Sequence, residues 1–157
     1  NPEKYWKRRT YVMDSNHPKF FRMICLVYLH RTDANNAACI STGLRGGGTF
    51  KNRPNLPHGI KGIVIHPTAA IGENVTIMHQ VTIGTRDIDV SAEIGDNVFI
   101  GAGAKILGNI KIGNGAKIGA NAVVIKDVPE NATVVGVPGR IIDKCERKNT
   151  NEMALLL

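Results

Sequence analysis

Ile100, Ile106, Ile112 and Ile118 stand six residues apart, and Val124 continues the series. A helix returns its apolar face every 3.6 residues and a strand every two, so neither element explains this spacing. The series extends back through Ile65, Ile71, Ile77 and Ile83. It is interrupted at GTRD (84–87), resumes one residue out of step at Ile88 and Ile94, and then runs unbroken to Val124. A small or β-branched residue lies two positions before many of these aliphatics, at Ala69, Val75, Val81, Ala92, Ala104, Ala116 and Ala122. Glycine follows the aliphatic at six places, among them Gly84, Gly101 and Gly119.

A period of six is a short strand plus a tight turn. The aliphatic points inward, the small residue fits a crowded corner, and Gly or Asn takes the turn conformation that costs other residues. Three units close a triangular coil of about 18 residues, and coils stack as parallel strands about 4.8 Å apart. One coil cannot bury its own interior, so several must stack. The series predicts nearly four coils over residues 65–130 and an irregular one over 40–64. Composition agrees: 43% of the chain is hydrophobic but only 5% aromatic, so aliphatics must fill the interior.

The flanks differ. Residues 2–13 and 18–31 have helical patterning, with Pro2 and Pro18 suited to first turns. Phe20, Phe21, Ile24, Val27 and Tyr28 form an apolar stripe expected to pack on the coil base or a neighbouring subunit in preference to a membrane. VPENATVVGVPGRII (128–142) reads as a closing strand and loop. The domain reading is a helical segment over 1–39, a parallel β-helix over 40–142 and a tail over 143–157.

The net charge is +7, and residues 1–31 hold seven Lys/Arg against two acids. That asymmetry fits a solvated helical face or an anionic partner. The basic stretch lacks the interleaved aromatics of a nucleic-acid binder. Cys25, Cys39 and Cys145 are irregularly spaced and odd in number, which points to a reducing, cytoplasmic setting without a disulfide framework. FFRMICLVYL is too short to span a bilayer and carries Arg22. Gly101-Ala102-Gly103 is no dinucleotide motif, and GLRGGGTF lacks the Gly-Lys-Ser/Thr of a phosphate loop.

Chemistry is expected where the pattern breaks, at 52–67 and 82–95. His58 stands between Pro57 and Gly59, outside the six-residue frame. A neutral imidazole is well suited to take a hydroxyl proton near pH 7. His79 follows inward Ile77 and either lines the same cleft or decorates an outer face. His66, before Pro67, reads as a structural turn residue. No two of His58, His66 and His79 are 18 apart, so none is expected to stack on another.

The segments LPHGIKGIVI, HPTAAIGENVTI, VTIG, GAGAKILGNIKIGNGAKIGA and GVPGRI resemble the hexapeptide-repeat acyltransferases. The likeness is to the serine-acetyltransferase branch and its sugar O-acetyltransferase relatives. It implies left-handed winding, a homotrimer with clefts between adjacent coils of two chains, and acetyl-CoA as acyl donor without a metal. It implies His58 as general base, with His79 a further candidate because some glycan-modifying relatives carry a His there. It implies a donor path over Gly84, Thr85, Gly101, Ala102, Gly119 and Ala120, with Lys126 or Arg140 at the phosphates and backbone amides on the oxyanion. Lys105, Lys111 and Lys117 fall on different faces by their spacing and read as solvated corners.

This chain departs from the serine-specific pattern. Pro57 stands where the branch has Asp, the loop after VTIG is short and lacks a second His, with Ser91 nearest that position, and the long helical N-terminal domain of those enzymes is missing from this sequence. These departures favour a sugar of a surface polysaccharide as acceptor, with Lys4, Lys7, Arg8 and Arg9 drawing in an acidic glycan. Serine is the alternative, through a clamp of Arg86, Asp89 and Ser91. Outside this class stand a metal-dependent hydratase, needing three converging histidines, and a non-catalytic β-helix module.

Overall fold

The computed structural model describes residues 2–40, 42–43, 46–86 and 90–142. From Cys39 onward the chain winds into a triangular prism whose three faces are parallel sheets. The first face stacks Val64–Ile65, Thr82–Gly84, Lys105–Leu107 and Val123–Val124. The second stacks Thr49–Phe50, Ala70–Ile71, Glu93–Ile94 and Lys111–Ile112. The third stacks Thr76–Ile77, Phe99–Ile100, Lys117–Ile118 and Thr133–Val135, and Arg140–Ile142 closes it antiparallel. Bridges from Cys39 to Val64 and from Asn55 to Thr76 add the irregular first coil that the sequence led us to expect.

Each strand turns one aliphatic inward. Ile65, Ile83 and Ile106 form one buried column, Ile71, Ile94 and Ile112 a second, and Ile77, Ile100 and Ile118 a third. Burying one such side chain is worth about 1.5–3 kcal/mol, so the columns dominate the stability of the prism. Ala69, Ala92, Ala104, Ala116 and Ala122 fill the corners and are fully buried. Lys105, Lys111 and Lys117 point outward on three different faces, as their spacing requires.

The register explains the broken series. Val64 pairs with Thr82, and Lys105 with Val123, each one regular coil further along the chain. Between these two steps Thr82 pairs with Lys105, and the chain takes a longer path to reach it. The interruption is therefore an insertion at the corner after Gly84, not a slipped repeat. Ile88 lies outside the described residues.

Turn glycines answer to two different constraints. A Cβ on Gly101 would sit 2.6 Å from the Ala120 nitrogen of the next coil, so close stacking excludes a side chain there. Left-handed backbone is taken instead at Gln80 (φ 59°), Gly103 (φ 70°) and Asn121 (φ 56°). The sequence suggested one reason for all of them, turn conformation. At Gly101 the reason is the neighbouring coil.

Helices α1 (Pro2–Met13) and α2 (Lys19–Asn35) pack together at the base of the prism. α2 runs past the expected end at residue 31, and Pro18 is its N-cap, not part of its first turn. Its buried residues are Arg22, Leu26, Leu29 and Asp33. The predicted stripe is divided: Tyr28 packs against the core, but Phe20 is 71% exposed, and Phe21, Ile24 and Val27 are each more than half exposed.

The polar residues take the inner positions because each finds a partner there. Tyr5 Oη donates to Asp33 Oδ1 at 2.7 Å, Arg22 Nε donates to the Val12 carbonyl at 2.8 Å, and Arg9 donates to the Gly48 carbonyl. The Arg9 guanidinium also lies 4.5 Å from the centre of the Phe50 ring, and that of Arg8 lies 4.1 Å over Tyr28. Arg8, Arg9 and Arg22 are thus packing elements, while Lys4, Lys7, Lys19 and Arg31 are exposed, so the reading as a solvated face holds for four of the seven basic residues. Burial dominates the ionisation here: it raises Asp33 and Tyr5 and lowers Arg9 from their ordinary values. Among the described residues no helix is long and apolar enough to cross a membrane. Cys25 and Cys39 are free thiols; Cys145 and the tail over 143–157 lie outside the described residues.

Candidate active site

The turns between the third and first faces stack into one edge. Gln80 N–H donates to the Lys61 carbonyl at 2.9 Å, Gly103 N–H to the His79 carbonyl at 3.0 Å, and Asn121 N–H to the Ala102 carbonyl at 2.8 Å. His58 lies in the lowest turn and His79 in the next. Their ring centres are 5.0 Å apart and the planes cross at 87°. The expectation that no two histidines stack is therefore wrong. The first coil is longer than the regular ones: it runs from Asn55 to its partner Thr76 and from Thr49 to its partner Ala70. His58 and His79 are separated by that same longer interval, so they meet.

Both histidines line an open cleft of about 870 Å³, with Pro57, Lys61 and Gln80. The far wall is the C-terminal end of α2 and the residues after it, Ala34, Asn35, Asn36 and Ala37. Gly62 N–H donates to the Asn36 carbonyl at 2.8 Å and fixes this wall against the turn. Sequence reasoning missed these four residues, since no local motif marks them. His58 is exposed, and His79 is half-buried with its Nδ1 enclosed and without a hydrogen-bond partner.

The donor-path residues divide. Gly101 and Gly119 lie on the histidine edge, but their amides donate to the carbonyls of Ile118 and Val134 at 2.8 Å. Those amides hold coils together. Ala102 and Ala120, one residue further along, reach the surface, and their amides make no hydrogen bond. Arg140 is exposed and follows the 136–139 turn at the top of the same edge, where Val123 N–H donates to the Gly136 carbonyl at 3.0 Å.

Gly84, Thr85 and Lys126 lie on a different edge, between the first and second faces. A single chain does not bring them to the histidines. That edge also carries the insertion and His66, whose Nδ1 is 2.9 Å from the Thr68 hydroxyl. Ser91 is 1% exposed there. Its hydroxyl donates to the Gly84 carbonyl at 3.1 Å, and its N–H donates to Thr68 Oγ1 at 2.9 Å. It anchors the insertion and is not open to a ligand, which removes it from the expected clamp. Arg86 is exposed, and Asp89 lies outside the described residues. Among the described residues no three His, Cys, Asp or Glu side chains gather as a metal site, and His66 stands apart from the other two histidines.

Comparison with known proteins agrees with the geometry. Residues 91–126 match the family model for the bacterial transferase hexapeptide, six repeats. A serine acetyltransferase of Mycobacterium tuberculosis is 52% identical over 88 residues, covering 54% of this chain and 38% of that protein. Soybean serine acetyltransferase, solved in complex with serine, superposes with a TM-score of 0.70 at 39% identity, covering 88% of this chain and 54% of its own. A serine acetyltransferase in complex with CoA superposes with a TM-score of 0.68 at 33% identity, covering 89% and 55%. The resemblance to the serine-acetyltransferase branch of hexapeptide-repeat proteins holds in both sequence and structure, and the fold is their left-handed parallel β-helix. The chain spans about half the length of these relatives or less.

Proposed function

We propose that this chain is an acetyl-CoA-dependent O-acetyltransferase, that its acceptor is serine, and that it works as a homotrimer. The observation that carries this is the histidine edge. His58, free in the cleft, shares one stacked edge with the uncommitted amides of Ala102 and Ala120 and with Arg140. A thin pantetheine arm suits such an edge, where small residues leave backbone N–H groups within reach. Its phosphate end suits Arg140, whose planar cation matches phosphate oxygens.

His58 takes the proton of the acceptor hydroxyl as the oxygen attacks the thioester carbonyl. The carbon–sulfur bond then breaks, and protonated His58 returns the proton to the departing thiolate. Gly84, Thr85 and Lys126, on the other edge, can serve a donor only across a subunit boundary, which supports the trimer.

Serine now stands ahead of a sugar hydroxyl, reversing the preference drawn from the sequence. The relatives are named serine acetyltransferases, and one is complexed with serine. The basic group expected to attract an acidic glycan is also depleted, since Arg9 is buried and Arg8 covers Tyr28. Lys61, exposed in the cleft, offers a cation to the serine carboxylate.

The test is thiol release from acetyl-CoA with serine, amino sugars and acidic glycans as acceptors. Serine is expected to be consumed with stoichiometric CoA release and formation of an O-acetyl ester. Turnover of a sugar alone would overturn the acceptor and leave the donor chemistry. No release above spontaneous hydrolysis with any acceptor would overturn the enzyme.

A further inference from the structure

The histidine edge holds a polar group that the base mechanism leaves unused. His79 Nδ1 is enclosed and has no hydrogen-bond partner. Nδ1 is unpaired in either neutral tautomer; the one with its proton on Nε2 places the N–H on the side of the ring that is not enclosed. Nε2 makes no hydrogen bond and is not enclosed, so in that tautomer His79 presents a donor to the cleft that it shares with His58.

Acetyl transfer creates negative charge on the carbonyl oxygen, and this charge needs a preorganised donor. Beside the uncommitted amide of Ala102, the backbone N–H groups of this turn are largely taken. The Gly101 amide donates to Ile118, and the Gly103 amide donates to the carbonyl of His79 itself. The Gly103 bond anchors His79 directly beside the next turn, where Ala102 lies.

We infer that His79 is a second catalytic residue, donating its Nε2–H to the acyl carbonyl oxygen while His58 removes the acceptor proton. The inference rests on the proposed acetyl transfer. In the transition state the attacking oxygen and the carbonyl oxygen are bonded to one carbon. Base and donor must therefore lie about two hydrogen bonds apart, and rings with centres at 5.0 Å satisfy this. The electrons balance: the acceptor proton goes to His58, the carbonyl π pair moves to oxygen and is held by His79, and collapse expels the thiolate.

The test compares His79→Phe, which keeps a ring against His58 but has no donor, with His79→Gln, which keeps an N–H. Turnover, both Michaelis constants, CoA binding by calorimetry and melting temperature are measured beside the wild type. His79→Phe is expected to lose about 10²–10³-fold in kcat, with both Michaelis constants and CoA affinity within about threefold, the usual cost of one oxyanion donor. His79→Gln is expected to stay within about tenfold of wild type. Should His79→Phe melt early, His79→Leu replaces it. Full turnover by the Phe or Leu variant, equal losses in the apolar and Gln variants, or a loss confined to a Michaelis constant would each overturn the role of His79 alone. A wild type that releases no thiol would overturn the proposed function and this role together.

Discussion

Two edges of the same prism use nearly the same backbone and do different things. On the edge between the second and third faces, the polar side chains are committed to the neighbouring coil. Asp96 Oδ1 accepts from Glu73 N–H at 2.8 Å and from Lys51 Nζ at 3.1 Å. Asn114 Oδ1 accepts from Asp96 N–H at 2.8 Å, and Asn114 Nδ2 donates to Glu130 at 3.2 Å. On the histidine edge, backbone bonds alone hold the turns, and the side chains of His58 and His79 and the amides of Ala102 and Ala120 make no hydrogen bond. Left-handed residues recur on both edges, at Asn74, Asn97, Gly115 and Asn131 on one and at Gly62, Gln80, Gly103 and Asn121 on the other. Turn geometry therefore does not distinguish scaffold from site. Uncommitted hydrogen-bonding capacity does.

The largest test of this contrast is His58→Ala. Losing a general base is expected to lower kcat by about 10²–10⁴-fold while CoA binding by calorimetry stays close to wild type. A variant that kept most of its rate would move the base elsewhere on the edge.

A smaller effect separates two cations. Arg140→Ala is expected to raise the Michaelis constant for acetyl-CoA about tenfold with little change in kcat, because a phosphate contact is remote from the reacting bond. Lys126→Ala, on the insertion edge, is expected to do less. Equal shifts would mean that the donor bridges both edges of neighbouring subunits with equal weight.

The smallest effect is on stability against pH, and it has opposite signs in two regions. The Glu73 N–H, and then Lys51, hold the Asp96 carboxyl below its ordinary range. A depressed carboxyl contributes stability above its unfolded value, and that stability is lost as pH falls through the folded one. Asp96→Asn should therefore flatten the acid limb of the melting profile. Burial raises Asp33, so its contribution runs the other way and falls as pH rises from the unfolded value through the folded one. Relative to wild type, Asp33→Asn should gain melting temperature as pH rises above the ordinary carboxylate range. Parallel profiles for the two variants would show that the edge ladder and the helical base do not differ in this way.

Much of the scaffold was legible in the residues. Ile71, Ile94 and Ile112 fell on one column because each coil repeats the same local solution, a short strand and a corner filled by a small residue. His58 stood out as a candidate because it broke that frame, and it lines the cleft. The stripe at Phe20 to Val27 does not pack on the coil base, because helical periodicity identifies an apolar face without saying what covers it. Here Tyr5 and the Val12 carbonyl supplied partners for Asp33 and Arg22, and the opposite face turned inward.

By itself the sequence determined the coil, its inward columns and the break at His58, because a period of six is a local property repeated many times. The tertiary structure decided which turns meet. A first coil longer than the regular repeat brings His58 onto His79, where a regular coil would keep them apart. It also decided which amides are free, since the same glycine-rich turn places Gly101 in the ladder and leaves Ala102 outside it. The physical reason is that stacking register is a sum over a whole turn of the chain. A few residues added anywhere in that turn shift every corner above them, and no local motif records the sum.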